Sequence, residues 1–169
     1  MPELVHFQTI EIPDLLAVGK NIRVRLDGDL AILGELWGRS FKDGTFATLE
    51  ALAGFVHDPA YVGFMNGYDP ATNEMNYLVG MLLKPGAPVP EGFTAFSVPA
   101  AKVGVAWVKG KQDQVKELCQ AAHGLTDQKI REAGLKTQWR WGMEVYTRER
   151  FNTPDAGGNV IVDYWLPCE

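Results

Sequence analysis

Glu144 and Tyr146 lie two residues apart in Gly142-Met143-Glu144-Val145-Tyr146, a run whose alternation predicts a strand. On a strand the two side chains share one face and Met143 and Val145 share the other. If Met143 and Val145 pack beneath the helices, Glu144 and Tyr146 face the side away from them. Trp139 and Trp141 precede the run, and Tyr164 and Trp165 lie on the last predicted strand. A carboxylate in such company admits two readings. It is a solvated glutamate on the open face of a half-exposed sheet, or a partly desolvated acid whose pKa rises with burial. In the second case an organic cation supplies the missing charge, and each aromatic face adds roughly 0.5–2 kcal/mol.

Other reactive side chains are sparse. Cys119 and His123 have i,i+4 spacing but no further ligands near them, so neither a metal site nor a cofactor is expected. Cys119, beside Leu118 and Ala122, reads as a small core residue. Cys119 and Cys168 form no C-x-x-C pair, which points to a reduced, cytoplasmic setting. Ser40 and Ser97 are the only serines, His6, His57 and His123 are scattered, and no nucleophile elbow or phosphate loop occurs. Lys109-Gly110-Lys111 reads as a turn before a helix, Arg148-Glu149-Arg150 as a solvated strand end, and Arg23 and Arg25 as a wetted face.

The elements that must position Glu144 follow from periodicity. Strands are predicted at Val5–Ile12 and, beyond Pro13, at Leu15–Val24. Leu30, Leu33, Trp37 and Phe41 predict an amphipathic helix over Asp29–Phe41. Gly44-Thr45 breaks it, and a second helix is predicted from about Phe46 to Asp58-Pro59. Tyr61–Tyr68 and Glu74–Lys84 read as a hairpin across a turn-rich connection. Strands at Phe93–Val98 and Lys102–Val108, a helix over about Gln112–Ala133, and strands at Trp141–Glu149 and Asn159–Leu166 complete the chain. Ile10-Glu11-Ile12-Pro13 with Val18-Gly19 matches Phe96-Ser97-Val98-Pro99 with Val103-Gly104 at nearly the same displacement. This predicts a duplication: a first repeat over about 4–84, a Pro/Gly-rich linker over about 85–91, and a second repeat over about 92–167, within one domain spanning 1–169.

Composition bounds the function. The chain has 169 residues, with 16 Lys and Arg against 21 Asp and Glu for a net charge of −5, which argues against an autonomous nucleic-acid binder. No apolar run approaches the ~20 residues of a membrane span, and the N-terminus does not read as a signal peptide. Five Trp, five Tyr and eight Phe exceed what a plain core of this size requires.

Together these segments resemble the GyrI-like, or AraC effector-binding, small-molecule-binding family. The resemblance rests on Ile10–Pro13 with Val18-Gly19, on Ile32-Leu33-Gly34-Glu35-Leu36-Trp37 with Phe41, and on Tyr61-Val62-Gly63-Phe64 with Met75-Asn76-Tyr77-Leu78-Val79-Gly80. It continues through Val89-Pro90-Glu91-Gly92, Val98–Lys102, Met143-Glu144-Val145-Tyr146 and Val160-Ile161-Val162-Asp163-Tyr164-Trp165-Leu166-Pro167. The resemblance implies an α+β fold of duplicated strand–helix–strand–strand units forming one antiparallel sheet backed by helices. It also implies a central cleft between the repeats for lipophilic, often cationic, aromatic compounds. By position it makes Glu144 the acid facing the ligand, with Tyr146 beside it, and matches Trp37 to the family's first-helix aromatic. Phe41, Tyr61, Phe64, Tyr68, Tyr77, Met81, Trp107 and Trp139 are the implied walls. A first strand beginning at about residue 4 leaves no room for a DNA-reading domain, so a stand-alone member with no direct nucleic-acid or membrane binding is expected. A protein partner or a homodimer stays open.

Three functions are in contention. The leading one is a binder or sensor of hydrophobic, cationic aromatic molecules, in which Trp37 serves either as cage or as core. The second is a hydrolase of reactive cyclopropane-type toxins, implied by some stand-alone relatives, with Glu144 as general base and Tyr146 orienting the water. The third is a gyrase-interacting inhibitor, for which the net charge is modest.

Overall fold

The computed structural model describes residues 1–169. In chain order the elements are β1 (Glu3–Ile12), β2 (Leu15–Arg25), α1 (Ala31–Lys42), α2 (Thr45–Glu50), β3 (Val56–Asp69), β4 (Glu74–Leu83), β5 (Thr94–Val98), β6 (Ala101–Lys111), α3 (Val115–Glu132), β7 (Trp141–Tyr146) and β8 (Asn159–Cys168). All strand pairs are antiparallel, and three helices accompany the eight strands. No helix is long and apolar enough to cross a membrane.

The chain divides into two compact units, and neither matches a sequence half. A central unit comprises Pro13–Ala100, and a terminal unit joins Met1–Ile12 to Ala101–Glu169. Each half has given up its first strand: β1 pairs with β6, and β5 pairs with β2. The prolines explain where this happens. Pro13 and Pro99 lack the amide that a continuing ladder needs, so each proline separates two strands that belong to different units. Asp14 secures the second junction by accepting the Ala100 amide at 2.8 Å.

In the terminal unit the strand order is β1-β6-β8-β7. On α3, Leu118, Ala122, Thr126 and Ile130 recur every four residues and are all buried, so one stripe of the helix lies on the sheet. Glycine lets it approach closely. A Cβ at Gly104 would stand 2.5 Å from Ile130, and one at Gly110 would stand 2.9 Å from Leu118. Fully burying Leu118 and Ile130 contributes roughly 1.5–3 kcal/mol each, and the same approach brings the flank of α3 down onto β7 and β8. Lys109-Gly110-Lys111 is therefore the end of a strand, not a turn.

In the central unit the order is β3-β4-β2-β5. Leu36, Phe46 and Leu49 of α1 and α2 pack with Val18, Val24, Tyr77, Val79, Met81 and Leu83 of the sheet. The Asp43 carboxylate starts α2 by accepting the Thr45 amide at 2.9 Å, and Gly44 takes the left-handed turn before it at φ 80°. The second helix is shorter than its apolar spacing predicts. It ends at Glu50, and β3 begins at Val56 and runs through Pro59, where its pairing with β4 is irregular between Val56 and Tyr61. An irregular stretch is where a strand tolerates proline.

Candidate functional site

β7 is buried on both faces, from Trp141 to Val145. Its alternation therefore identifies which residues share a face but not which face carries the helix. Glu144 stands opposite Tyr164 in the β7–β8 register, and α3 covers that face: His123 reaches Tyr164 and Cys119 reaches Tyr146. The condition under which Glu144 and Tyr146 would point away from the helices is thus not met, because α3 lies on their own face. Met143 and Val145 occupy the other face, also buried.

The acid is well enclosed. Glu144 is 9% exposed and accepts the Tyr146 hydroxyl on Oε2 at 2.7 Å. Since that proton is committed to Glu144, the Cys119 thiol, 3.4 Å from the Tyr146 oxygen, is the donor of its own contact. Tyr164 places its hydroxyl 2.8 Å from His123 Nδ1, and the Trp139 ring lies against that imidazole with centroids 5.3 Å apart. Phe151 meets Tyr146 edge-on at 4.6 Å.

Burial governs the protonation of this group. It pushes the Cys119 thiol and the Tyr164 phenol far up, and the Glu144 charge adds to both effects. It lowers His123, with Asp127 opposing. At neutral pH the thiol and phenol are thus protonated and the imidazole is neutral, leaving Glu144 as the carboxyl group between the strands. Asp127, one turn along α3 from His123, is paired with Arg131 and Thr137.

Trp107 belongs elsewhere. It lies opposite Asp163 in the β6–β8 register, on the face away from Glu144. The Arg150 guanidinium lies 4.1 Å from its ring centroid, and His6 lies 4.5 Å from it on β1. Arg150 grips the buried Asp163 with two bonds, Nε to Oδ1 at 2.8 Å and a terminal nitrogen to Oδ2 at 2.5 Å. The solvated strand end expected at Arg148-Glu149-Arg150 is therefore corrected: β7 stops at Tyr146, and Arg150 turns inward.

The central unit gathers a second aromatic group on its own helix side. Trp37 donates from Nε1 to the Tyr77 hydroxyl at 2.9 Å, and its ring lies 6.0 Å from both Phe41 and Phe46. Phe46 stacks on Tyr61 at 3.7 Å, and the Tyr61 hydroxyl donates to Glu50. Phe41 is 62% exposed, whereas Tyr77 and Met81 are core. Phe64 is on the opposite sheet face, stacked on Phe96 and almost wholly buried. Tyr68 sits at the β3–β4 turn, donating to Asn73 at 3.0 Å.

The structure thus places Glu144, Tyr146 and Trp139 of the expected residues in one group, with Tyr164 beside them as the aromatic neighbour the sequence offered, and Trp37, Phe41, Tyr61 and Tyr77 in the other. Phe46, Glu50, His123 and Phe151 were not among the expected site residues. The i,i+4 spacing of Cys119 and His123 was the available signal for α3, and the two side chains reach Tyr146 and Tyr164.

Residues 10–168 match the family described as Cass2, integron-associated effector binding protein. The chain belongs to that family. A relative of this Cass2 chain is the transcriptional regulator BrlR of Pseudomonas aeruginosa, 31% identical over 163 residues, covering 96% of this chain and 55% of BrlR. The Cass2 chain thus spans about half the length of that regulator. Among solved structures, SAV2435 bound to tetraphenylphosphonium superposes with TM-score 0.68 at 15% identity, over 98% of this chain and 94% of that one. The integron cassette protein VCH_CASS2 from the mobile metagenome of Vibrio cholerae gives TM-score 0.60 at 14% identity, over 99% of each chain. Both share the Cass2 chain's fold.

Proposed function

We propose that this chain binds lipophilic organic cations of small-molecule size, with Glu144 as the charged anchor. The observation that carries the reading is the enclosed Glu144 carboxylate, held by Tyr146 at 2.7 Å and flanked by Tyr164 and the α3 side chains. Membership of an effector-binding family and a fold-mate bound to tetraphenylphosphonium support it. Magnitudes favour the acid over any single ring. A unit charge about 5 Å away at an effective dielectric of about 20 is worth roughly 3 kcal/mol, against roughly 0.5–2 kcal/mol for one cation–π contact.

Trp139, which packs on His123 in the same unit as Glu144, is proposed as a further aromatic contact. Trp37, Phe41 and Tyr61 are proposed as an aromatic contact group of the central unit by itself, with Tyr77 supporting Trp37 from the core. Phe64, Met81, Tyr68 and Trp107 leave the reading, because they are core, at a distant turn, or committed to Arg150.

Titration calorimetry with tetraphenylphosphonium and the neutral triphenylphosphine oxide tests the proposal. Glu144→Gln is expected to weaken the cation at least about tenfold and the neutral compound less than about threefold. Equal losses for the two compounds, or none, would sink the electrostatic reading.

A further inference from the structure

His123 stands where the polar groups around Glu144 meet. On α3 it lies one turn beyond Cys119, so both side chains reach the same strip of sheet. The thiol meets Tyr146 on β7, and imidazole Nδ1 meets the Tyr164 hydroxyl on β8 at 2.8 Å. Tyr164 is the cross-strand partner of Glu144, a pairing that sets Cβ atoms about 4.5–5.5 Å apart. Trp139 lies against the imidazole from the α3–β7 connection.

The titratable groups around this ring are few. Its own helix contributes Cys119 and Asp127, β7 contributes Glu144 and Tyr146, and β8 contributes Tyr164. On the α3 face β6 presents Lys102, Gly104, Ala106, Val108 and Gly110, and β1 presents Phe7, Thr9 and Glu11. The charged pair Lys102 and Glu11 lies beyond the Gly104–Ile130 contact, about two turns of α3 from His123. His123 is therefore the group in this cluster that can acquire a positive charge between about pH 5 and 8.

We propose that His123 sets the charge of the Glu144 site: neutral, it leaves the carboxylate to an organic cation, and protonated, it competes with that cation. The inference rests on the cation-binding reading above. Burial holds the imidazole below its ordinary range, so the receptive state prevails at neutral pH. Linkage makes the effect reciprocal: a cation that prefers neutral His123 must weaken proton binding to it by the same factor. Two like charges several ångströms apart at an effective dielectric of about 20 give roughly a tenfold coupling, or about one pH unit of displacement.

The test is an NMR titration of the histidine rings in the full chain, with and without saturating tetraphenylphosphonium. His123→Asn, which keeps an acceptor for Tyr164, assigns the signal, and the exposed His6 and His57 serve as internal controls. The expected result is a downward shift of about one pH unit for His123 alone. In parallel, affinity for tetraphenylphosphonium should fall severalfold more between pH 8 and pH 5 in the wild type than in His123→Asn, approaching but not reaching the full coupling of about tenfold. If the cation binds while His123 titrates unchanged, the inference is overturned. If it binds at no pH, the cation-binding reading fails first and this inference falls with it.

Discussion

In the terminal unit Tyr146 donates its hydroxyl to Glu144, and in the central unit Tyr61 donates its hydroxyl to Glu50. Glu144 sits within a strand beneath α3, whereas Glu50 ends α2 in solvent. The ion pairs differ in the same way. Arg150–Asp163 in the terminal unit has side chains 25% and 5% exposed, and Arg25–Asp27 in the central unit has 62% and 56%. Chemically alike pairs thus occupy different dielectrics, and a charge interacts strongly only where water is kept out. On this contrast the terminal unit shields its Arg150–Asp163 pair and Glu144 from water, while the central unit leaves Arg25–Asp27 and Glu50 in solvent.

The largest expected difference concerns the ion pairs. Arg150→Ala removes the guanidinium from a buried carboxylate and should cost about 3–5 kcal/mol in urea unfolding. Arg25→Ala should leave the transition where it is, and equal losses would break the contrast at its root. Next, Glu144→Gln should weaken tetraphenylphosphonium at least about tenfold, whereas Glu50→Gln should change it by less than about twofold. A larger loss from Glu50→Gln would move the anchor to the central unit. A smaller separation is expected for the tyrosines: Tyr146→Phe should cost about 1 kcal/mol of stability, and Tyr61→Phe measurably less.

The mildest effect is one of pH. His123 has its folded pKa below the ordinary 6.5, so the unfolded chain takes up that proton first. Its contribution to stability is complete above about 6.5 and declines as pH falls through that value toward the folded pKa. His123→Asn should flatten this acid limb in thermal melts, while His57→Asn on the exposed start of β3 should not.

Periodicity located nearly every strand, because prolines and turn residues mark their ends. It overran α2, since Leu52 and Val56 continue a helical spacing although the chain has already turned toward β3. The pairing of Glu144 with Tyr146 was legible because i,i+2 residues on a strand must share a face. Which face bears α3 was not, because Met143 and Val145 are as buried as Glu144. His123 was hidden for a different reason: Tyr164 is 41 residues away, and only α3 lying on glycine-bearing β6 brings the two together. Arg150 likewise read as solvent-facing until Asp163 supplied its partner from β8.

The exchange of first strands also bears on how the molecule can be dissected. The central unit is one uninterrupted stretch, while the terminal unit is written in two instalments with that stretch between them. Ile12 and Ala101 face each other across the β1–β6 ladder, so an Asn-Gly turn inserted between them would close an ordinary hairpin. In architectural terms the chain is a host with a guest stitched into its first hairpin. Excising the guest and sealing the seam would give a miniature that keeps Glu144, Tyr146, Tyr164 and His123, and would show how much of the acid's surroundings the host assembles alone.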